Sequence, residues 1–507
     1  MSFISAGFFM AMALTACLYY LIPKKYQWEL LLFVSFGFYA TYGIRYMGYI
    51  LFTIITSYCI TRLMAAQKEK LMRRRWLIFG LVSNFGILVF LKYVNFTILN
   101  LTSLFSVFHQ AFPLGKLSIV MPLGISFYTF QTMSYVIDVY QKKYEPETNI
   151  FRLALFTAYL PQLLQGPIGR YDRLAPQLFE PHDFNLKNIE YGAQRIAWGL
   201  AKKLILADRA YVFSKAVFAD LNTYSGMYVI VALLTFSIYE YCDFSGGIDI
   251  TRGVARLFGI DMAENFRRPI FATSLTDYWR RWHITLGAWM RDYVFYPISL
   301  SRGFGKLSRW ARTHIGGTAG KIFATSLATF IVYFIIGIWH GANFRYIAFG
   351  LWNGVLITAS LLLEKTFLRW KAALHVNDKS AGWRVFMTLR TALLVFIGRY
   401  FTRAPRLRSV FTLLKTTVLH PQPGQLFDGT LLSLGLAKTD FLVIALGLIV
   451  LLVLESLQER GVQIRAGLEK KSGFVQWAAM TALLLAVFLL GVFRAGYIPS
   501  GFIYTQF

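Results

Sequence analysis

Acidic residues are scarce. The 507 residues hold 25 Asp and Glu against 52 Lys and Arg, and charged residues of both signs make up only 15% of the chain. Soluble globular domains carry about 25% charged residues. A chain this poor in charge, with 56% hydrophobic and 17% aromatic residues and a mean hydropathy of +0.50, is excluded from that class. Cysteine is nearly absent. Cys17, Cys59 and Cys242 lie in or beside apolar runs, none at metal-ligand spacing, which excludes a disulfide framework and leaves packing as their expected role. There is no internal repeat and no low-complexity linker, and no soluble appended domain is expected. No basic cluster precedes the first apolar run and no A-x-A-like site follows it, so that run is expected to be a retained span and not a cleaved signal.

Long apolar runs are what the chain does have. Apolar cores occur at 3–22, 30–44, 46–61, 76–91, 117–137, 153–164, 227–239, 322–338, 346–363, 385–397 (interrupted by Arg390), 441–454 and 477–493. A crossing takes about 20 apolar residues, and several of these cores are shorter. The expected fold is an all-α polytopic membrane protein with roughly 11 to 13 membrane segments, some broken, re-entrant or interfacial. It forms a single membrane domain over 1–507, ending in an aromatic tail at 499–507.

The net charge of +27 is concentrated in short stretches, including Lys68 to Arg75, Lys365 to Arg384 and Arg460 to Lys471. Short basic loops stay cytoplasmic, and counting spans from them puts both termini outside. This pattern fits a plasma membrane and anionic lipid headgroups and not a nucleic-acid partner. Three polar stretches are expected to be irregular: 145–149, 179–188, where Pro181 breaks any helix, and 421–438, an external loop.

Two stretches carry chemistry. The first, TSLTDYWRRWHITLGAWMRDYVFYP at 273–297, predicts an amphipathic interfacial or re-entrant helix. Thr273 or Ser274 is its N-cap, Asp277 sits in its first turn, Arg280, Arg281 and Arg291 give it cationic charge, and Trp279, Trp282 and Trp289 form a stripe at headgroup level. His283 stands within it beside Trp282. The second is GIWHGANF at 337–344, which places His340 in oily surroundings. An ionisable group there is costly and marks a site. Gly337, Gly341 and Gly350 permit close backbone approach, and Asn343 offers an orienting partner. A neutral imidazole in a dry setting suits general-base activation of a hydroxyl attacking an acyl thioester, with His283 orienting the acceptor or stabilising the oxyanion. Metal binding by the two histidines lacks a supporting carboxylate or cysteine set, so no metal is expected.

DYWRRWHITLGAWMRDYVFYPI and GIWHGANFRYIAFGLWNG closely resemble the core of the membrane-bound O-acyltransferases, the MBOAT family. PLGISFYTFQTMSYVIDVY at 122–140, LPQLLQGPIGRYDRLAPQL at 160–178 and DFSGGIDITRGVARLFGI at 243–260 extend the resemblance over most of the chain to about Gly354. Within the family the chain is similar to the bacterial branch of alginate O-acetylases and D-alanyl transfer proteins. The resemblance implies a helical bundle around a central tunnel. An acyl group passes through it from a cytoplasmic thioester, acetyl-CoA or an acyl carrier protein, toward extracytoplasmic polysaccharide hydroxyls. No tightly bound cofactor is implied, and a partner acyltransferase on the outer side is a candidate.

By that resemblance His340 matches the family's near-invariant histidine and His283 its second, motif-borne polar position. Asn343, Trp282, Trp339, Asp243, Asp249, Gln165 and Arg170 are the candidate substrate contacts. The last residues, FIYTQF, resemble the C-terminal motif of the small partner in D-alanylation systems, which implies that Tyr504 relays the acyl group. A phenol is a better leaving group than a sugar hydroxyl, so an acyl-tyrosine stays transferable. After YVFYPI the chain departs from the alginate-type pattern into SLSRGFGKLSRW and a basic loop, so the acceptor polymer does not carry over. D-alanyl transfer from a carrier protein to teichoic acid is the rival within this class. A polysaccharide or lipid transporter is the rival outside it.

Overall fold

The computed structural model describes residues 4–492. Tyr504 and the rest of the aromatic tail therefore lie outside the described residues. Helices account for every regular element among them, and the only β-type pairing among the described residues is an isolated antiparallel bridge between Phe266 and Trp282.

Among the described residues, eight helices are long and apolar enough to cross a membrane: Ile44–Ala66, Lys70–Val107, Met227–Leu257, Ala319–His340, Phe344–Leu362, Ala381–Arg403, Lys438–Glu459 and Gly473–Leu490. At 1.5 Å per residue the 38 residues of Lys70–Val107 reach about 57 Å, well beyond a hydrocarbon core of about 30 Å. Other apolar runs form shorter helices, such as Ala6–Leu21, Gln27–Ala40 and Ile125–Tyr140. The run at 153–164 is broken into Ile150–Ala158 and Leu160–Gln165. Pro161 lacks the N–H that would continue the first helix, but suits the first turn of the second.

The described residues form two compact units. One takes the chain up to 200 together with 247–263; the other takes 201–246 and the chain from 264 onward. The core of the first unit is aromatic, with Phe8, Tyr19, Tyr135, Phe156 and Phe258 buried. As expected, Pro181 lies in a break, between Tyr171–Phe179 and Leu186–Leu200.

In the second unit, the helices Gly317–His340 and Phe344–Leu362 pack backbone to backbone. A Cβ built on Gly350 falls 2.4 Å from the Tyr333 carbonyl oxygen, and one on Gly337 falls 2.6 Å from that of Tyr346. Only glycine permits this approach. The basic stretch expected as a loop after 301 is instead a helix, Arg302–Ile315, because the Ser301 hydroxyl caps it by accepting from the Phe304 N–H at 3.2 Å.

Gly350→Ala should force the two helices apart and lower stability by about 1–3 kcal/mol. Gly86→Ala, where nothing lies within 4 Å of the added carbon, should be neutral or slightly stabilising. Thermal unfolding of the two variants in detergent checks the contrast.

Candidate active site

Ser274 caps the helix Leu275–Arg281 by accepting from the Asp277 N–H at 3.1 Å, while Asp277 accepts from the Thr273 N–H at 3.1 Å. The continuous helix expected to follow is interrupted. Residues 265–267 pair with the chain at its end: the Arg267 N–H donates to the Arg281 carbonyl at 2.9 Å and the Ile284 N–H to the Asn265 carbonyl at 3.0 Å. These bonds pull the chain out of the helix at Trp282 and set His283 at φ +48°, in the left-handed region. A second helix, Ile284–Met290, then opens into a wider turn at Arg291–Phe295.

The tryptophan stripe does not form a headgroup belt, since Trp282 and Trp289 are only 5% and 4% exposed. Trp282 stacks on Tyr278 with centroids 5.7 Å apart, meets Phe266 edge-on at 5.0 Å and carries the Arg399 guanidinium 5.5 Å above its ring.

His283 is buried, edge-on to Phe244 at 4.9 Å and to Trp339 at 5.8 Å. Its Nδ1 lies 3.2 Å from Asn265 Oδ1, which also accepts from the Thr285 N–H at 3.1 Å and the Thr285 hydroxyl at 2.9 Å. A backbone N–H can only donate, so that oxygen is an acceptor and His283 Nδ1 carries the proton. The lone pair of the neutral ring is then on Nε2. Burial, reinforced by the charge of His340, lowers the His283 pKa to about 3.

His340 ends the helix Gly317–His340 and is half-buried. Its ring lies 5.1 Å from Trp339, 5.6 Å from Phe349 and 6.3 Å from Tyr346. Trp339 thus contacts both imidazoles. Asn343 does not orient His340; its side-chain oxygen instead caps the next helix by accepting from the Arg345 N–H at 3.1 Å. A helix starting so soon after His340 needs that cap.

The other candidates fall into different settings. Asp243 bonds Lys203 at 2.6 Å, and Lys203 also reaches Asp208 at 2.8 Å, with all three side chains 0% exposed. The helix carrying Asp243 and the π-helical turn Ala201–Ala207 carrying Lys203 are fastened together by that triad. In the first unit, Asp249 pairs with Arg195 at 2.9 Å, and Arg170 is the N-cap residue of Tyr171–Phe179. Gln165, in the same unit, is buried with neither amide atom hydrogen-bonded. Each such atom costs about 1–3 kcal/mol, so this amide has capacity for an added polar partner.

The sequence reading missed the Glu240–Arg399 ion pair, in which Arg399 also donates to the Tyr278 hydroxyl at 3.2 Å. Its signal was present: one acid in SIYEYC and one base in FIGRYF, each inside an apolar run. Asn265, which sets the His283 tautomer, lies in a polar stretch with no such signal.

Arg399→Met should leave Glu240, whose side chain is only 14% exposed, unpaired and cost about 3 kcal/mol, most of which the double variant with Glu240→Gln should restore; thermal unfolding of the three proteins checks this. Histidine-labelled ¹⁵N spectra should show one ring, His283, neutral with its proton on Nδ1 down to about pH 5, well below the usual imidazole range.

The profile model of the membrane-bound O-acyltransferase family, MBOAT, matches residues 147–390, a segment containing both histidines. The chain is 34% identical to the probable alginate O-acetylase AlgI of Pseudomonas aeruginosa over 77% of this chain and 69% of that protein. It is 27% identical to the peptidoglycan O-acetyltransferase of Helicobacter pylori over 78% of this chain and 74% of the relative. A more distant similarity, 26% over 49% of this chain and 61% of the relative, joins it to the teichoic acid D-alanyltransferase of Bacillus subtilis.

Proposed function

The chain belongs to the membrane-bound O-acyltransferase family and is a multi-pass membrane O-acyltransferase, and from that premise we propose that it moves acetyl groups outward. The donor is a thioester, acetyl-CoA or an acyl carrier protein, on the cytoplasmic face of a bacterial plasma membrane. The acceptor is a hydroxyl of an extracytoplasmic polysaccharide, reached directly or through a partner acyltransferase. Membership in an acyltransferase family sets the transporter reading aside.

The observation that carries this reading is the pair of imidazoles on Trp339, in a setting that keeps His283 neutral. In the proposed reaction His340 takes the proton of the attacking hydroxyl. The oxygen bonds to the acyl carbon, the carbon–sulfur bond breaks, and the leaving thiolate recovers the proton from the imidazolium. His283 has its own proton engaged by Asn265 and offers a lone pair on Nε2. It therefore suits accepting a hydrogen bond from the hydroxyl or from the His340 ring, and is poorly suited to donating to an oxyanion.

Tyr504 enters as a relay, taking the acyl group as a phenyl ester before the final transfer. With the basic stretches 68–75 and 460–471 inside, both termini lie outside, where such a relay is needed. D-alanyl transfer stays a second reading because of one observation, the C-terminal FIYTQF.

His340→Ala should lower acetyl transfer from radiolabelled acetyl-CoA in membrane vesicles by about 10²–10⁴-fold while the protein still folds. Full polymer modification by that variant would place catalysis elsewhere. Tyr504→Phe should abolish polymer acylation yet leave thioester binding intact, and mass spectrometry of the C-terminal peptide should show the acyl mass on Tyr504. Labelling only by an aminoacyl carrier protein would move the assignment to D-alanyl transfer.

A further inference from the structure

The helix Arg302–Ile315 carries its charge in an arrangement that helix stability does not ask for. Arg302, Lys306, Arg309 and Arg312 follow one another at spacings of four, three and three, which gathers them on one face. All four are exposed, and none is in an ion pair among the described residues. Like charges at these spacings destabilise a helix, and a cation in the first turn opposes its dipole. Yet Arg302 directly follows the Ser301 cap, and no acidic residue stands in that turn. No Asp or Glu occurs at all between Asp292 and Glu364.

The opposite face is taken up by packing. Ala311 is fully buried, Phe304 and Leu307 are half-buried, and a Cβ on Gly320 would collide with the main chain of Ala311 and Arg312. The basic face therefore points away from the helix Gly317–His340, which carries His340.

The depth of this helix follows from its neighbours. Gly317–His340 and Phe344–Leu362 run antiparallel, with Gly337 against Gly350 and the Thr358 hydroxyl donating to the Ser326 carbonyl at 3.4 Å. Their far ends thus share one side with the basic stretch that starts at Lys365, the cytoplasmic side under the positive-inside rule. Gly320, where the basic helix makes its close contact, stands two residues before Ile322 and the start of the apolar run. That is about 3 Å of helix rise, which puts the contact at headgroup depth.

Apolar side chains open to the surroundings accompany the cations. Leu300, just before the helix, is 82% exposed; Trp310, next to Arg309, is 51% exposed and stacks on His314 at 5.1 Å. Topology needs positive charge alone. It does not need that charge on one face, nor bare apolar residues beside it. A ligand with an anionic group and a hydrocarbon chain matches both features, and a phospholipid offers its phosphate at this depth.

We propose that the basic face of Arg302–Ile315 is a binding site for anionic phospholipid, with Arg302, Lys306, Arg309 and Arg312 on the headgroup phosphate and Leu300 and Trp310 against the acyl chains. Seated there, the lipid holds the end of the hairpin farthest from His340 at the membrane surface. The site does not depend on which acyl donor or acceptor the protein uses.

The test uses the full-length chain in neutral detergent micelles, titrated with phosphatidylglycerol or phosphatidylcholine, with native mass spectrometry reading the lipid retained. Phosphatidylglycerol should bind at least about tenfold more tightly than phosphatidylcholine. Replacing all four cations, Arg302→Gln, Lys306→Gln, Arg309→Gln and Arg312→Gln, should weaken its binding by about tenfold. A control that removes as much charge elsewhere, Lys68→Gln, Lys70→Gln, Arg74→Gln and Arg75→Gln, should keep that binding. Coenzyme A, which carries phosphates without a hydrocarbon chain, should not displace the lipid from the unaltered protein. Equal binding of the two lipids, undiminished binding by the first variant, an equal loss in the control, or displacement by coenzyme A overturns the proposal. The four side chains are exposed, so the variant should fold; the lipid comparison and the coenzyme A competition need only the unaltered protein and decide the matter where it does not.

Discussion

A charge removed from water into a hydrocarbon-like interior must be accompanied by its opposite, and the second unit of this protein is arranged around that requirement. The penalty for an isolated buried ion is several kcal/mol, more than most single packing interactions supply. Lys203 meets it with two aspartates, Glu240 with Arg399, and Arg209 with Asp440 at 2.9 Å. Lys203–Asp243, Glu240–Arg399 and Arg209–Asp440 join residues distant in sequence, so the same bonds that neutralise charge also fix which helices lie together. Weak surface pairs give no comparable specificity.

Against that background the histidines are legible as a different solution. An imidazole escapes the penalty by giving up its charge, and His283 does so among Phe244, Trp339 and the acceptor oxygen of Asn265. The aromatic surroundings, the neutral ring and the fixed tautomer are one physical arrangement seen from three sides. Close contact of the glycines at 337 and 350 supplies the rigidity, because it leaves the helix ending at His340 little room to shift against its neighbour.

Much of this was readable in the sequence, and the failures have identifiable causes. Apolar runs announced the membrane helices because length and hydropathy act locally. The N-cap at Ser274 and the first-turn Asp277 were visible for the same reason. The break at His283 was not, because it is imposed by backbone bonds from 265–267, and no periodicity within 273–297 encodes them. The burial of Trp282 and Trp289 follows from that break, since a stripe drawn on a continuous helix loses its meaning once the helix turns. Asn343 was given to His340 by proximity in sequence, whereas the orphan N–H groups of the next helix had the stronger claim on its oxygen. Asp243 and Asp249 were found by motif, but only the fold shows that both spend their charge on neighbouring cations.

The left-handed backbone at His283 restricts how this position can drift. Asparagine and glycine tolerate that conformation; branched side chains such as valine and isoleucine resist it. A descendant of this chain that abandoned the imidazole would be expected to settle on asparagine or glycine there. For the same reason asparagine is the replacement that separates loss of the ring from distortion of the main chain, a distinction that alanine scanning at this site would blur.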